Sequence, residues 1–391
     1  MPSTDLASRD LATRAETVGS LLRPPEVLSA LQSLSQAPKR GDGGQVGDVL
    51  DRAVLDAIKL QLDAGLDVIT DGEMRRLAWA QTPYFLDCFE RRPGGPRLNW
   101  RGGTGPAATP AGAKLVIGSD EPTHPVVVRA VAGARRTGDM TAEYAFLARH
   151  TGGTRTKYTL AAPSFHRRYW SDEHSTAAYR RVEDFLTEVR DYYRTVVEQV
   201  VALGCDYIQL DAPNYGTLCD PDYRAELERQ GRDLAAELAF DAELDNSLFD
   251  GIEGVTRALH ICRGNAPGGR WNATGGYGAI SAVLFPRLDF DRLLLEYDTE
   301  RAGTFEPLAD VRPGTVVVLG LLTTKSGRLE DAAAVEERIA EAAAIKPLAE
   351  LALSTQCGFA TLATGNPVPP GGQQAKLELV ATVAHRVWRQ D

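Results

Sequence analysis

Short, mostly apolar runs that end in polar residues recur along the chain and predict strands. Residues 16–20, 66–69, 157–163, 207–213, 258–262, 293–296, 316–322 and 351–354 form these runs. Between them, apolar residues at helical spacing predict helices over residues 49–64, 182–203, 223–240 and 329–349, and in part of 280–292. This alternation of strands and helices predicts an α/β fold, a parallel (β/α)8 TIM barrel.

One long segment interrupts the alternation after the second strand. Residues 91–113 are rich in Gly and Pro, and residues 114–131 hold two β-branched runs around an Asp-Glu-Pro turn at 120–122. They predict an inserted hairpin excursion. The expected organisation is a single catalytic barrel domain over residues 1–391, with a flexible arm at 1–14 and an excursion and lid at 85–150.

Composition and charge exclude several classes of function. The chain has 53 acidic and 43 basic residues, a formal net charge of −10, and no long block of like charge, so we expect no nucleic-acid partner. Residues 1–14 lack the apolar core of a signal peptide, and no run of about 18 apolar residues occurs in the chain, which predicts a cytoplasmic protein with no membrane partner. The five cysteines are scattered, so we expect reduced thiols.

Polar residues able to do chemistry follow most of the predicted strands. They are Ser20, Glu73, Asp211, His260, Cys262, Glu296, Lys325 and Cys357. In a parallel barrel the carboxyl ends of all strands meet at one mouth, where the active site lies. The barrel therefore predicts that these side chains converge.

Four of these residues predict a zinc site. Two Cys, one His and one Glu suit Zn²⁺ better than Ca²⁺ or Mg²⁺, which prefer oxygen ligands. The sequence separations between successive candidates are 2, 34 and 61 residues. Structural zinc sites usually use closely paired ligands such as C-x2-C, whereas ligands spread over a large scaffold are typical of catalytic metals.

Each assignment has a structural alternative. The His and Cys of the fifth run could be ordinary core residues. Glu296 could pair with the charged residues 298–301, and Glu73 could pair with Arg75 or Arg76. Asp211 lies between Leu210 and Ala212-Pro213, where an unpaired charge is costly, so it needs either a substrate cation or a structural salt bridge.

The chain resembles the carboxyl-terminal catalytic barrel of cobalamin-independent methionine synthases, as a short single-barrel relative. The matching stretches are residues 17–20 (Thr-Val-Gly-Ser), 71–73 (Asp-Gly-Glu), 208–211 (Ile-Gln-Leu-Asp), 260–262 (His-Ile-Cys), 295–298 (Leu-Glu-Tyr-Asp) and 356–359 (Gln-Cys-Gly-Phe).

The resemblance implies a role for most of the predicted site. Ser20, Glu73 and Asp211 would hold the amino and carboxylate groups of homocysteine. The resemblance also implies that His260, Cys262, Glu296 and Cys357 bind Zn²⁺. The expected activity is zinc-dependent transfer of a methyl group to the thiol of homocysteine or a similar amino-thiol. Addition of another thiol to an epoxide, by an enzyme similar to the coenzyme M transferases, is the alternative.

The methyl donor is where the sequence departs from the family. Folate-using members have a second barrel and place a histidine after strand 7, but this chain has Lys325 there. A lysine ammonium is a reluctant proton donor near neutral pH and suits the binding of an anion. We therefore expect a small-molecule thiol and a methyl donor as partners, the donor being a corrinoid protein or a small alkyl electrophile. A homo-oligomer is compatible with the sequence.

Overall fold

The computed structural model describes residues 12–36, 43–93, 100–103 and 123–388. Its main sheet is a closed parallel barrel in which the strands pair in chain order and the last pairs with the first, so the predicted fold is confirmed. The strands are β1 (Ala15–Glu16), β2 (Val68–Ile69), β3 (Arg155–Thr156 with Tyr158–Ala161), β4 (Tyr207–Asp211), β5 (Thr256–Ile261), β6 (Arg292–Glu296), β7 (Val316–Leu322) and β8 (Leu351–Thr355).

The barrel closes at β3, which is interrupted at Lys157. The first half of β3 pairs with β2, and the second half pairs with β4. Of the predicted arm, residues 1–11 lie outside the described segments. Arg14 is buried and donates a hydrogen bond to the Leu351 carbonyl at 2.7 Å, so the last residue of the predicted flexible arm is fixed against the barrel.

Helices cover the outer face of the barrel, where their apolar sides pack on the outward side chains of the strands. None of the helices in the described segments is long and apolar enough to span a membrane. The α-helices span Pro25–Gln36, Gly43–Ala64, Thr82–Phe85, Ala142–Ala148, Val182–Ala202, Pro213–Thr217, Pro221–Arg229, Leu234–Ser247, Ser281–Leu284, Ala332–Ala343 and Pro370–Trp388.

The single helix predicted over residues 223–240 is wrong, because two helices occupy this region. Asp220 caps the first, and its carboxylate accepts hydrogen bonds from two backbone N–H groups. Gly231, with φ of 76°, ends that helix in the left-handed region. The Asp233 carboxylate then caps a second helix by accepting from Ala236 N–H.

Successive side chains along each strand point alternately into the barrel interior and outward into the core beneath the helices. On β6, Leu293 and Leu295 belong to the outer core, while Leu294 belongs to an apolar layer inside the barrel. Arg292 and Glu296 have the same parity as Leu294, so they also face inward. The same period places Tyr207, Gln209 and Asp211 inside on β4, with Asp211 at the mouth.

The amino-terminal end of the barrel interior is closed by buried charges. The Glu16 carboxylate accepts from Lys157 Nζ at 2.7 Å and from Arg292 at 2.9 Å. It also accepts from the Tyr207 hydroxyl. Burial alone would raise the pKa of Glu16, but the two cations outweigh it and lower the pKa to about 2. The cluster at this end therefore contains two cations and one carboxylate, and all of its residues are buried from solvent.

The segment between β2 and β3 contains antiparallel pairing of two kinds. Phe89–Arg92 pairs with His124–Val127. The second predicted β-branched run therefore pairs with a strand that precedes the Gly-rich stretch. The predicted turn at 120–122 lies outside the described residues. Arg101–Gly102 pairs with Arg270–Trp271 from the loop after β5.

Candidate active site

Three of the predicted metal ligands meet at the mouth of the barrel. The donor atoms of His260, Cys262 and Cys357 all lie within 4.8 Å of one another, and all three residues are buried. His260 is on β5, Cys262 directly follows β5, and Cys357 follows β8. Segments separated by about a quarter of the chain thus bring one imidazole and two thiols together.

The His260 ring has the orientation of a metal ligand. Its Nδ1 lies 3.1 Å from the Leu294 carbonyl, which fixes the proton on that nitrogen. Its Nε2 is buried and has no hydrogen-bond partner. Metal-binding histidines typically donate one N–H to a carbonyl or carboxylate and present the other nitrogen to the metal. The orphaned Nε2 and the two soft sulfur donors beside it fit Zn²⁺.

The pKa values of the two thiols shift in opposite directions. The neighbouring Cys262 thiol lowers the pKa of Cys357, and the neighbouring Cys357 raises the pKa of Cys262. Burial lowers the pKa of His260, but the neighbouring Cys357, Asp211 and Glu296 outweigh it and leave the pKa raised. The cluster therefore already favours a thiolate, the form that binds a metal.

Glu296 lies at the same mouth but outside this cluster. Its Oε2 accepts from the Arg263 backbone N–H at 2.7 Å. Its Oε1 is hydrogen-bonded by Arg301 and lies 3.7 Å from Lys325 Nζ. Burial would raise the pKa of Glu296, but Arg301 and Lys325 lower it strongly. Pairing with Arg301 is the structural alternative raised above, and the assignment of Glu296 as a ligand stays a prediction.

Asp211 lies next to the cluster of one imidazole and two thiols, and no cationic side chain pairs with it within the described segments. It is the register partner of His260 on the neighbouring strand. Its Oδ1 accepts from Gln209 Nε2 at 2.7 Å, and no ion pair to it is found within the described segments. Burial raises the pKa of Asp211 to about 7, despite the opposing effect of His260. A cationic substrate group would stabilise this carboxylate.

Glu73 points a free carboxylate oxygen toward the same region. Its Oε1 accepts from the Thr159 hydroxyl at 2.9 Å and lies 3.4 Å from Arg76. Arg76 pairs mainly with Glu143, so the predicted alternative of a Glu73 to Arg76 pair holds only in part. Glu73 Oε2 is buried and has no partner, which leaves it able to accept from a bound ammonium.

The backbone at Glu73 is held in an unusual conformation. Glu73 has φ of 54°, whereas the other left-handed residues of the described chain are glycines. A non-glycine residue there carries strain, which persists only when neighbouring contacts enforce it. Arg23 provides one such contact, because its Nη2 donates to the Glu73 carbonyl at 2.7 Å. Strained residues of this kind cluster at functional sites.

Ser20 connects the end of β1 to the loop that carries Cys357. Its backbone carbonyl accepts from Phe359 N–H at 2.7 Å, and its hydroxyl accepts from Ala360 N–H at 3.3 Å. A Cβ atom at Gly358 would lie 2.1 Å from Ser20 Oγ, so only glycine permits this approach. Ser20 therefore lies against the loop that carries Cys357, and its role in substrate binding stays a prediction.

Lys325 lies after β7 and is buried. Its Nζ has no hydrogen-bond partner and lies 3.7 Å from Glu296 Oε1 and 4.0 Å from Asp298 Oδ2. The loop at Gly269 packs closely on its backbone, because a Cβ there would lie 2.3 Å from the Lys325 carbonyl. The predicted position of Lys325 at the mouth is thus observed, while its role stays a prediction.

Sequence patterns did not assign a role at the site to Arg263. It follows Cys262 directly, and this position next to a predicted ligand was a usable signal. Arg301 belongs to the charged stretch 298–301 that the sequence offered as a partner for Glu296, and it is the residue of that stretch that pairs with this carboxylate.

Comparison with known proteins finds relatives that match almost the whole chain. No family model matches the chain. The chain is 32% identical over 389 residues to the uncharacterized protein YxjH of Bacillus subtilis strain 168, covering 96% of this chain and 95% of YxjH. It is 31% identical over 385 residues to YxjG of the same organism, with the same shares covered.

Solved structures with a similar fold also match almost the whole chain. A candidate vitamin-B12-independent methionine synthase from Listeria monocytogenes superposes with a TM-score of 0.66 at 25% identity, covering 96% of this chain and 98% of that one. A B12-independent methionine synthase from Shewanella sp. W3-18-1, in complex with selenomethionine, has a TM-score of 0.67 at 20% identity with the same shares and shows the same fold. The chain belongs to the family of YxjH and YxjG, a family of catalytic barrels like those of cobalamin-independent methionine synthases.

Proposed function

We propose that this protein is a zinc-dependent methyltransferase that moves a methyl group to the thiol of homocysteine or a similar amino-thiol. The proposal is supported by Asp211, a buried carboxylate whose register partner His260 belongs to the cluster of one imidazole and two thiols, and by the buried Glu73, which is close enough to raise the pKa of Asp211. Each carboxylate has capacity to accept a hydrogen bond. The family resemblance supports the same assignment.

The proposed metal site consists of His260, Cys262 and Cys357, with Glu296 as a fourth candidate ligand. When bound there, zinc would stabilise the substrate sulfur as a thiolate near neutral pH. A sulfur-rich ligand set leaves electron density on that sulfur and suits alkyl transfer better than water activation.

The acceptor pocket binds the amino-acid part of the thiol. Asp211 and the free Oε2 of Glu73 accept hydrogen bonds from the substrate ammonium, and Ser20 lies where it can hydrogen-bond the carboxylate. Holding both ends places the sulfur at the thiol cluster in a fixed geometry, which lowers the entropic barrier to transfer. The whole chain would act as one catalytic domain, with residues 85–150 as its lid.

The donor is proposed to be a corrinoid-bound methyl group or a small alkyl electrophile. Lys325 has a buried ammonium at the mouth, where its charge can hold an anionic group of the donor. The ammonium takes no part in binding the thiol.

The test is single-turnover S-methylation by the zinc-loaded protein, with homocysteine and mercaptoethanol as competing acceptors and methylcobalamin or methyl iodide as donor. Transfer to homocysteine with strong preference over mercaptoethanol is expected. Equal use of both thiols would contradict the amino-acid pocket and favour the alternative of thiol addition to another electrophile. No transfer to either thiol from any donor would contradict the methyltransferase assignment.

A further inference from the structure

The excursion after β2 places one buried carboxylate close to the acceptor pocket. Glu143 lies on the helix Ala142–Ala148, and its side chain contacts Arg76, three residues after Glu73 in the loop that follows β2. Burial raises the pKa of Glu143 to about 6, despite the opposing effect of Arg76. Glu143 is therefore ionised at neutral pH and can hold the guanidinium as an ion pair.

Two carboxylates face the guanidinium of Arg76, and they share it unequally. Its Nε donates to the Glu143 carboxylate at 3.0 Å, and its Nη2 hydrogen-bonds the same carboxylate. Its Nη1 donates to the Thr159 hydroxyl at 2.9 Å and lies 3.4 Å from Glu73 Oε1, which is longer than a normal hydrogen bond. The guanidinium therefore pairs with Glu143 and only approaches Glu73.

The Glu73 carboxylate is held so that one oxygen is used and the other is free. Oε1 accepts from the Thr159 hydroxyl at 2.9 Å and packs on Gly19, where a Cβ atom would lie 2.7 Å from it. Oε2 is buried and has no partner. A guanidinium turned toward Glu73 would pair with both oxygens, because its planar fork matches a carboxylate. Glu73 would then have no free oxygen for an ammonium.

The buried charges around Glu73 leave one carboxylate without a cation. Asp71 accepts from the Glu73 backbone N–H at 2.9 Å, and Arg23 donates to the Glu73 carbonyl at 2.7 Å. Together with Glu143 and Arg76, these residues make three buried carboxylates and two buried guanidiniums. An uncompensated buried charge is costly, so a third cation at Glu73 would stabilise the group.

We propose that Glu143 is a positioning residue of the acceptor pocket, which holds Arg76 away from Glu73 so that the free oxygen of Glu73 can bind the ammonium of an amino-thiol. The inference rests on the proposed function and goes beyond it by giving the excursion a role in the choice of acceptor. A thiol that carries an ammonium should depend on Glu143, whereas a thiol without one should not.

The experiment measures the dissociation constants of homocysteine and mercaptoethanol by calorimetry with zinc-loaded, full-length protein. In Glu143→Gln the guanidinium loses its main counter-charge and turns to Glu73. Homocysteine should therefore bind about 10-fold more weakly, which is within the usual range of coupling between interacting sites. Mercaptoethanol should bind as it does to the wild type, because it has no ammonium to place at Glu73.

The double variant Glu143→Gln/Arg76→Met distinguishes positioning from general support of the fold. Removing the guanidinium as well leaves Glu73 Oε2 without a competitor, so homocysteine affinity should return most of the way to the wild-type value. If Glu143 only supported the fold, the second substitution would remove a further buried group and add to the damage.

Asp241→Asn is the matched control. Asp241 is also a buried carboxylate that pairs with an arginine, Arg167, and burial raises its pKa to about 6 as well. That pair joins the segment after β3 to the helix Leu234–Ser247 and does not include Glu73 or Asp211. The control should lower stability without changing the ratio of the two dissociation constants.

If Glu143→Gln does not fold, Glu143→Asp takes its place. It keeps the charge but withdraws it by one methylene, so it should show the same selective loss to a smaller extent. Unchanged homocysteine affinity in the folded variant, or no recovery in the double variant, would overturn this inference alone when the wild type prefers homocysteine. A wild type that binds both thiols equally would overturn the proposed acceptor pocket and the inference with it.

Discussion

Asp211 and His260 are register partners on β4 and β5, so a carboxylate and an imidazole lie side by side at the carboxyl ends of adjacent strands. The imidazole presents its free Nε2 to the thiols, and the carboxylate has no arginine or lysine partner within the described segments. One strand spacing therefore separates the proposed metal site from the proposed ammonium site. This proximity suits a substrate whose thiol and amine are a few bonds apart.

Replacing the acceptor-binding carboxylate should weaken substrate binding without loss of metal. In Asp211→Asn, homocysteine binding should weaken by roughly 2–5 kcal/mol, the cost of removing one partner of a buried charge-assisted pair. Calorimetry with zinc-loaded protein measures this change, and mercaptoethanol, which lacks the ammonium, should bind equally to both proteins. An equal loss for both thiols would show that Asp211 supports the metal site and does not bind the amine.

Removing either thiol of the cluster should remove zinc. The wild type should hold about one zinc per chain, and Cys262→Ser and Cys357→Ser should each lose most of it, because a hydroxyl is a poor replacement for a thiolate ligand. The fold should survive, since a barrel of this size has a core independent of the metal. Elemental analysis and circular dichroism are the measurements.

Cys205→Ser is the control for those variants. Cys205 is buried away from the cluster, and its thiol donates to the Tyr207 carbonyl, a bond that serine can keep. It should retain full zinc. Full zinc occupancy in both cluster variants would contradict the metal assignment.

The donor prediction concerns Lys325. Methyltetrahydrofolate triglutamate should be a poor donor to homocysteine compared with methylcobalamin, because a lysine ammonium is a weak proton donor to a departing nitrogen. Single-turnover methylation with each donor in parallel measures the difference. Efficient transfer from the triglutamate that is abolished in Lys325→Ala would instead make this lysine the acid of a folate-dependent reaction.

A methyl group at Gly358 should disturb the site from the side of β8. In Gly358→Ala the new Cβ would meet Ser20 Oγ at 2.1 Å, so the β8 loop must shift and carry Cys357 with it. We expect lower thermal stability and weaker zinc binding. Gly371→Ala is the matched control, because a Cβ there meets nothing within 4 Å in the helix Pro370–Trp388. That change should be neutral or stabilise the protein by about 0.4–1 kcal/mol. Equal melting temperatures for the two variants would show that the loop adapts without cost.

The ion cluster at the closed end of the barrel should contribute stability that depends on pH. Glu16→Gln removes the carboxylate that pairs with the buried Lys157 and Arg292 and should cost about 3–5 kcal/mol in the free energy of unfolding at pH 7. The lowered pKa of Glu16 means that its contribution is complete above its ordinary value of 4.5 and is lost as the pH falls through about 2. The difference between the two proteins should therefore shrink over that window.

Urea denaturation at a series of pH values measures this difference. Glu26→Gln, at an exposed position on the first helix, is the control and should show no such dependence. A gap that stays constant down to pH 3 would show that Glu16 acts by packing and not by charge.

The sequence predicted the barrel well because its strands are buried on both faces and read as apolar runs. The seventh strand was predicted with the bounds observed, Val316–Leu322, since every residue in it is buried. The first strand was predicted at residues 16–20, but the ladder is Ala15–Glu16. When the loop after a strand is also buried, hydropathy does not show where the strand ends and the loop begins.

Pairings between distant segments were beyond sequence patterns. No local pattern indicated that His124–Val127 pairs with Phe89–Arg92 across the Gly-rich stretch. The charged stretch 298–301 was predicted as a possible partner of Glu296, but the pattern did not show that Arg301 would pair with it or would stack on Trp271, 30 residues earlier in the chain. Local periodicity contains no information on which loops meet over the mouth, so the environment of Glu296 required the three-dimensional structure.

The residues of the site divide between the two halves of the barrel. Ser20, Glu73 and Asp211 follow or end β1, β2 and β4, whereas the thiols, the imidazole and Glu296 come from β5, β6 and β8. Under the proposed function, the amino-terminal half-barrel would recognise the acceptor, and the carboxyl-terminal half-barrel would hold the metal. Substitutions in the first half can alter which thiol is used while the metal ligands stay unchanged. Proteins with this arrangement can acquire new acceptor thiols through substitutions in the amino-terminal half of the barrel alone.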